Sequence, residues 1–273
     1  MTDGNLRLQS GEEVNCPTRS RQAKALALLE RGAAGRAERI AALRQDGYPA
    51  YSTAPGWLGY SDERLAALCA EAVAEGFTQV RIKVGAALDD DKRRCAIARE
   101  VVGDDIGIAI DANQVWDVPT AIAWIRELAP FRPAWVEEPT APGDILGTPR
   151  SAGGVDIMQI DACRVAGVNE NIANLLLAAK FGVPVCPHAG GVGLCEIVQH
   201  LSMFDYVALS GTTQGRRIEW IDHLHEHFAA PAAVAGGSYR APLAPGASTQ
   251  ILPESLAEYC YPSGPAWRAS GMP

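Results

Sequence analysis

The sequence predicts an α/β fold in which parallel strands close into a β/α barrel, and three observations predict it. Strand-like runs alternate with helix-like runs at the spacing of repeated βα units. Several helical runs open with a capping Asp or Ser and stop at Gly, as at Gly76 and Gly103. Each strand-like run ends in a residue able to do chemistry.

Taken in order, Asp62 to Glu75 is an amphipathic helix, and Thr78 to Val84 is a strand carrying Arg81-Ile82-Lys83. Asp89 to Val102 is a helix, and Ile106 to Ile110 is a strand ending at Asp111-Ala112-Asn113. Val118 to Leu128 is a helix, and Ala134 to Val136 is a short strand ending at Glu137-Glu138-Pro139. Val155 to Ile160 and Val183 to Pro187 then read as buried strands closed by Asp161 and His188. Val168 to Phe181 between them has the length of a helix.

The carboxyl ends of barrel strands are where catalytic side chains sit. Alone, Asp161 reads equally well as a helix cap, His188 as a loop histidine and Lys83 as a solvated charge. Lys83, Asp111, Glu137, Asp161 and His188 together are harder to explain that way. Two carboxylates on adjacent strands, Asp111 and Glu137, suit Mg²⁺, a hard cation that keeps several waters. A Lys on one side and a His–Asp pair on the other suit proton abstraction beside a bound carboxylate.

Composition narrows the class further. At 273 residues the chain suits one barrel-sized domain. A net charge of −8 with no basic stripe argues against a nucleic-acid partner. No apolar run approaches the roughly 20 residues that span a bilayer, and no signal peptide opens the chain. The seven Cys are odd in number and scattered, with Cys69, Cys163 and Cys186 in apolar runs, so reduced, buried thiols and a cytoplasmic location are expected.

Longer stretches carry a resemblance. These are Gly47 to Tyr51, Pro55-Gly56-Trp57-Leu58-Gly59-Tyr60-Ser61-Asp62, Ile82-Lys83-Val84-Gly85 and Asp111-Ala112-Asn113-Gln114. They continue through Trp135 to Thr140, Ile160 to Asn171 and Pro187 to Glu196. With them the chain resembles the enolase superfamily, mandelate racemase subgroup, and within it the L-fuconate dehydratases. The resemblance implies an enolase-type TIM-like barrel that binds Mg²⁺ and an acid sugar and yields a 2-keto-3-deoxy acid. It implies Lys83 as the base, Asp111 and Glu137 as metal ligands, and Asp161 with His188 as the dyad that protonates the departing hydroxyl. Glu219 is implied as the acid supporting the enolate, with Arg81 and Asn113 as substrate-binding residues.

Three departures from that family qualify the expectation. Arg81 replaces the first Lys of the family's Lys-x-Lys motif. Most of the capping domain is absent: 1–22 reads as a mobile N-terminus and 23–54 as a cap remnant, with an incomplete barrel at 55–228. Residues 229–273 correspond to the segment that packs on the cap in relatives. Finally, Gly143 to Gly154 stands where one βα unit and its third metal-ligand Glu are expected. Asp144 is the candidate substitute ligand there. The alternative function is therefore a catalytically impaired or inactive barrel fragment that binds partners or a sugar acid without turnover.

Two smaller features complete the reading. His223 and His227 share a helical face at zinc-pair spacing, but a surface helix is the preferred explanation. Gly190-Gly191-Val192-Gly193 reads as a tight turn near the substrate. Tyr239, Tyr259, Tyr261 and Trp267, left without a cap, are expected to be exposed and to favour a homo-oligomer.

Overall fold

Alternation of apolar and chemistry-bearing residues builds the centre of the fold. The computed structural model describes residues 17–141 and 155–270. Strands β1 (Tyr48–Ser52), β2 (Gln79–Lys83), β3 (Gly107–Asp111) and β4 (Trp135–Glu137) lie parallel in the order β4-β3-β2-β1. Strand β5 (Ile218–Trp220) pairs parallel with β1. A hairpin of β6 (Val234–Ala235) and β7 (Ser238–Tyr239) joins β1 in the antiparallel sense.

The helices between these strands follow the predicted boundaries within a residue. They are α3 (Asp62–Ala74), α4 (Leu88–Val102), α5 (Val118–Leu128) and α6 (Val168–Phe181), after α1 (Pro17–Arg31) and α2 (Arg36–Asp46). Ser61 caps α3 by accepting from the Arg64 N–H at 3.3 Å, and Asp117 caps α5 by accepting from Thr120 N–H at 2.8 Å. Beyond them come α7 (Leu194–Phe204), α8 (Pro253–Tyr259) and α9 (Pro265–Ser270).

The period of two along each strand divides the sheet into two faces. Val80, Ile82, Ile108 and Ile110 pack into one core with Leu65 and Cys69 of α3 and Cys95 and Ala98 of α4. Each such fully buried aliphatic side chain stabilises the fold by roughly 1.5–3 kcal/mol. The alternate residues, Arg81 and Lys83 on β2 and Asp111 on β3, fall on the other face. Lys83 lies level with Asp111, and Asp111 with Glu137.

That second face is concave. Tyr51 on β1 and Trp135 on β4 meet edge to face at 5.5 Å between ring centroids, although two strands separate them. Flat strands at ~4.8 Å spacing would hold β1 and β4 about 14 Å apart, so the sheet curls. The curl brings side chains from β2, β3, β4 and β5 to one trough.

Several sequence expectations need correction. A closed barrel is not confirmed: among the described residues no ladder joins β4 to the segment at 155–161. Closure needs a full strand count at consistent stagger. The predicted strands at 155–160 and 183–187 contract to two parallel bridges, Met158↔Val185 and Asp161↔His188. The fold is a mixed α/β sheet packed with helices. The predicted internal gap at 143–154, with Asp144, lies outside the described residues, as do residues 1–16 of the predicted mobile terminus.

Within 17–22 that terminus is already helical, in α1. Tyr48–Ser52, assigned by sequence to a cap remnant, is instead a central strand. Tyr239 is fully buried on β7, donating to the Glu219 carbonyl at 2.5 Å, whereas Tyr259 and Tyr261 are exposed as predicted. Its pairing with β1 gives the C-terminal segment a partner in this sheet. Cys163 is exposed, not buried.

Candidate active site

Arg81 is the hub of the trough. It is 5% exposed, and its Nη1 lies 2.6 Å from Glu137 Oε1 and 3.6 Å from Asp111 Oδ2. Its Nη2 lies 2.6 Å from Glu219 Oε1. The planar guanidinium fork thus spans carboxylates from β4 and β5 at once. Lys83, at the end of the same strand, places Nζ 2.6 Å from Asp111 Oδ2. Asp111 Oδ1 accepts from the Asn113 N–H at 2.9 Å.

His188 approaches from the far side. Its Nδ1 lies 2.7 Å from Glu219 Oε2, the oxygen that also accepts the Ala189 N–H at 2.6 Å. Burial would raise the Glu219 carboxyl, but His188, Arg81 and the Ala189 N–H outweigh it and hold it below the ordinary range. Burial likewise opposes charge on His188, yet Glu219 and Asp161 prevail, so its imidazole sits above its usual value. Their contact favours the charged form of each. Burial dominates at Glu137 and lifts its carboxyl to about 7, with Asp111 and Glu219 reinforcing it against Arg81 and Gln159.

A cavity of about 650 Å³ opens over these groups. Arg81, Lys83 and His188 line it, whereas Asp111, Glu137 and Glu219 lie behind them. Trp57, Tyr60 and Trp220 supply an aromatic wall. The loop carrying Trp57 is anchored from below by buried Arg94, whose Nη2 donates to the Gly56 and Trp57 carbonyls at 3.1 Å each. Sequence reasoning missed this wall and its anchor, although Pro55-Gly56-Trp57 was visible as a distinctive run.

The predicted residues are not all brought together in the expected pairs. Lys83, Asp111, Glu137, Glu219, Arg81 and His188 converge. Asp161 neighbours His188 in backbone pairing, but its carboxylate accepts from the Cys163 N–H at 2.8 Å and from Arg164 Nε at 3.1 Å. The partner at hydrogen-bonding distance from His188 is Glu219, because β5 packs nearer its ring. Asn113 is exposed and left-handed at φ +47°, with Nδ2 3.4 Å from Glu138. It is not among the residues lining the cavity.

The surface helix expected at His223 to His227 is not formed, and with it goes the zinc-pair spacing. His225–His227 is a single 3₁₀ turn. His223 lines the cavity, His227 contacts Ser255, and His225 stacks on Trp220 with Nδ1 2.6 Å from Glu196. The turn at Gly190 is real: a Cβ there would lie 2.5 Å from His188 Cε1, so glycine lets the imidazole pack against the backbone.

The chain belongs to the enolase C-terminal domain-like family, whose profile matches residues 64–151 and 150–255. It is 45% identical to mitochondrial enolase superfamily member 1 from Homo sapiens, over 89% of this chain and 61% of that protein. The crystal structure of that human protein superposes with a TM-score of 0.88 at 44% identity, covering 92% of this chain and 63% of that one. L-galactonate dehydratase from Hypocrea jecorina is 43% identical over 89% of this chain and 61% of its own. A Streptomyces coelicolor racemase with bound magnesium has a TM-score of 0.62 at 28% identity, covering 77% and 64% of the two chains. The chain therefore spans about three fifths of the length of the curated relatives it matches.

That racemase holds magnesium, whereas the trough here is arranged differently. Among the described residues, no group of three or more His, Cys, Asp or Glu is placed to hold a metal ion. Asp111 and Glu137 offer two carboxylates, but Lys83 and Arg81 each hold an oxygen of them at 2.6 Å. The near-octahedral shell Mg²⁺ requires does not fit this arrangement.

Proposed function

We propose that the chain is an acid-sugar dehydratase, with Lys83 and His188 as its base and acid. The observation that carries this reading is that Lys83 and His188 line one cavity together with the Arg81 guanidinium. A sugar-acid carboxylate seated toward Arg81 would present its α-carbon to Lys83. Lys83 Nζ would take the α-proton, breaking C2–H. His188 would then donate its proton to the departing 3-hydroxyl, so that C3–O breaks with loss of water. The enol that remains tautomerises to a 2-keto-3-deoxy acid. No step here passes through Mg²⁺, because the carboxylates arranged in the trough do not fit it.

L-fuconate is the substrate this reading puts first, with L-galactonate beside it because of the 43% identical dehydratase. The test is 2-keto-3-deoxy acid formation from each, by the purified chain, in Mg²⁺ and in EDTA. Turnover that disappears in Lys83→Ala supports the reading.

A second reading, binding of a sugar acid without turnover, has its own support. Lys83 Nζ is tied to Asp111 at 2.6 Å, which opposes its use as a free base. A folded chain whose unfolding midpoint rises with L-fuconate but which forms no product would select it.

A further inference from the structure

We infer that Arg81 is the resident cation of the carboxylate trough and occupies the position in which a divalent ion would have to sit. Asp111, Glu137 and Glu219 are all nine-tenths or more buried and come from three strands, β3, β4 and β5. Carboxylates packed this closely need positive charge between them, since a buried unpaired charge is strongly unfavourable. A bound metal is one source of that charge and a fixed side chain is another.

The geometry selects the side chain. One guanidinium touches Glu137 through Nη1 and Glu219 through Nη2, both at 2.6 Å, and faces Asp111 at 3.6 Å. It comes up from β2, inside the curl. An ammonium at the same position is a point charge without the fork, so bridging two carboxylates in this way needs Arg. Each of the three acids also has a basic partner already in place. Arg81 faces Glu137, Lys83 faces Asp111, and His188 faces Glu219. Among the described residues, a divalent cation added to this set would find each of these acids already paired, and would have to displace Arg81 from Glu137. The trough therefore holds its shape without metal, and Arg81 closes it.

Mn²⁺ serves as the probe, read by electron paramagnetic resonance alongside thermal unfolding, with no substrate present. The wild-type chain is expected to leave Mn²⁺ free up to millimolar concentration and to unfold at the same temperature in Mn²⁺ and in EDTA. Arg81→Gln is expected to unfold several degrees lower in EDTA, to recover in Mn²⁺ and to bind one ion. If Arg81→Gln does not fold, the double variant Arg81→Gln/Glu219→Gln, which removes one charge of each sign, replaces it and is expected to bind Mn²⁺ through Asp111 and Glu137. Stoichiometric Mn²⁺ binding by the wild type that Glu137→Gln abolishes overturns the inference. So does a folded variant lacking Arg81 that binds no Mn²⁺. Because no turnover is read, this outcome is separate from success or failure of the dehydratase assay.

Discussion

His188 Nδ1 lies 2.7 Å from Glu219 Oε2, and this pair joins the turn after residue 187 to strand β5. The imidazole is raised and the carboxyl lowered by the contact, each against the opposing effect of burial. Stability from the raised His188 is fully present below its unfolded value of 6.5 and is lost as pH climbs through the folded one. Stability from the lowered Glu219 is present above 4.5 and is lost as pH falls through its folded value. Glu137, lifted to about 7, favours the folded state less as pH rises from 4.5 to that value. Together these place the highest unfolding midpoint toward the lower end of the window between 4.5 and 6.5. Thermal unfolding across pH checks this, and His188→Gln should flatten the decline above 6.5. An unaltered decline would remove His188 from the account.

Gly190→Ala should fold and yet lose activity. The new Cβ would stand 2.5 Å from His188 Cε1 and 2.8 Å from Nε2, so the imidazole has to move. Misplacing a catalytic group by ~1 Å costs on the order of 10²-fold in rate. Steady-state kinetics beside circular dichroism would read both halves of this expectation.

Replacing Lys83 by Ala removes the proposed base and should lower the dehydration rate by about 10²–10⁴-fold. Asp111 loses its 2.6 Å partner in the same variant, so stability is measured with it. A Lys83→Ala chain that keeps its rate would end the assignment of Lys83 as the base.

Arg94 acts at a distance from the chemistry. Arg94→Ala leaves the Gly56 and Trp57 carbonyls without their buried donor, and each unsatisfied group costs about 1–3 kcal/mol. Urea unfolding should show that loss. Because Trp57 lines the cavity, KM for the acid sugar should rise more than kcat falls. An unaltered KM would separate the Trp57 loop from substrate binding.

Lys83, Asp111 and Glu137 were legible in the sequence because their signal is local. A strand's alternation fixes which residues share a face, and the turn after the strand marks which one ends it. The helices at 62–74, 88–102, 118–128 and 168–181 were legible for the same reason, through caps and periodicity read within a dozen residues. Length and family resemblance carried the rest of the α/β assignment. By itself, then, the sequence determined four helices, the three strands that carry Lys83, Asp111 and Glu137, and the enolase-superfamily membership.

Which of those residues touch was decided by tertiary structure alone. Curling of the sheet brings Tyr51 against Trp135 and lets Arg81 span Glu137 and Glu219, which lie far apart along the chain. The same packing gives His188 to Glu219 and leaves Asp161 with Arg164. A histidine's partner depends on which strand passes within about 3 Å of its ring, and sequence spacing carries no record of that distance. The helix expected at His223 to His227 fails in the same way: its spacing would put the two histidines on one face, but the chain at 225–227 makes only one turn before running out to Phe228.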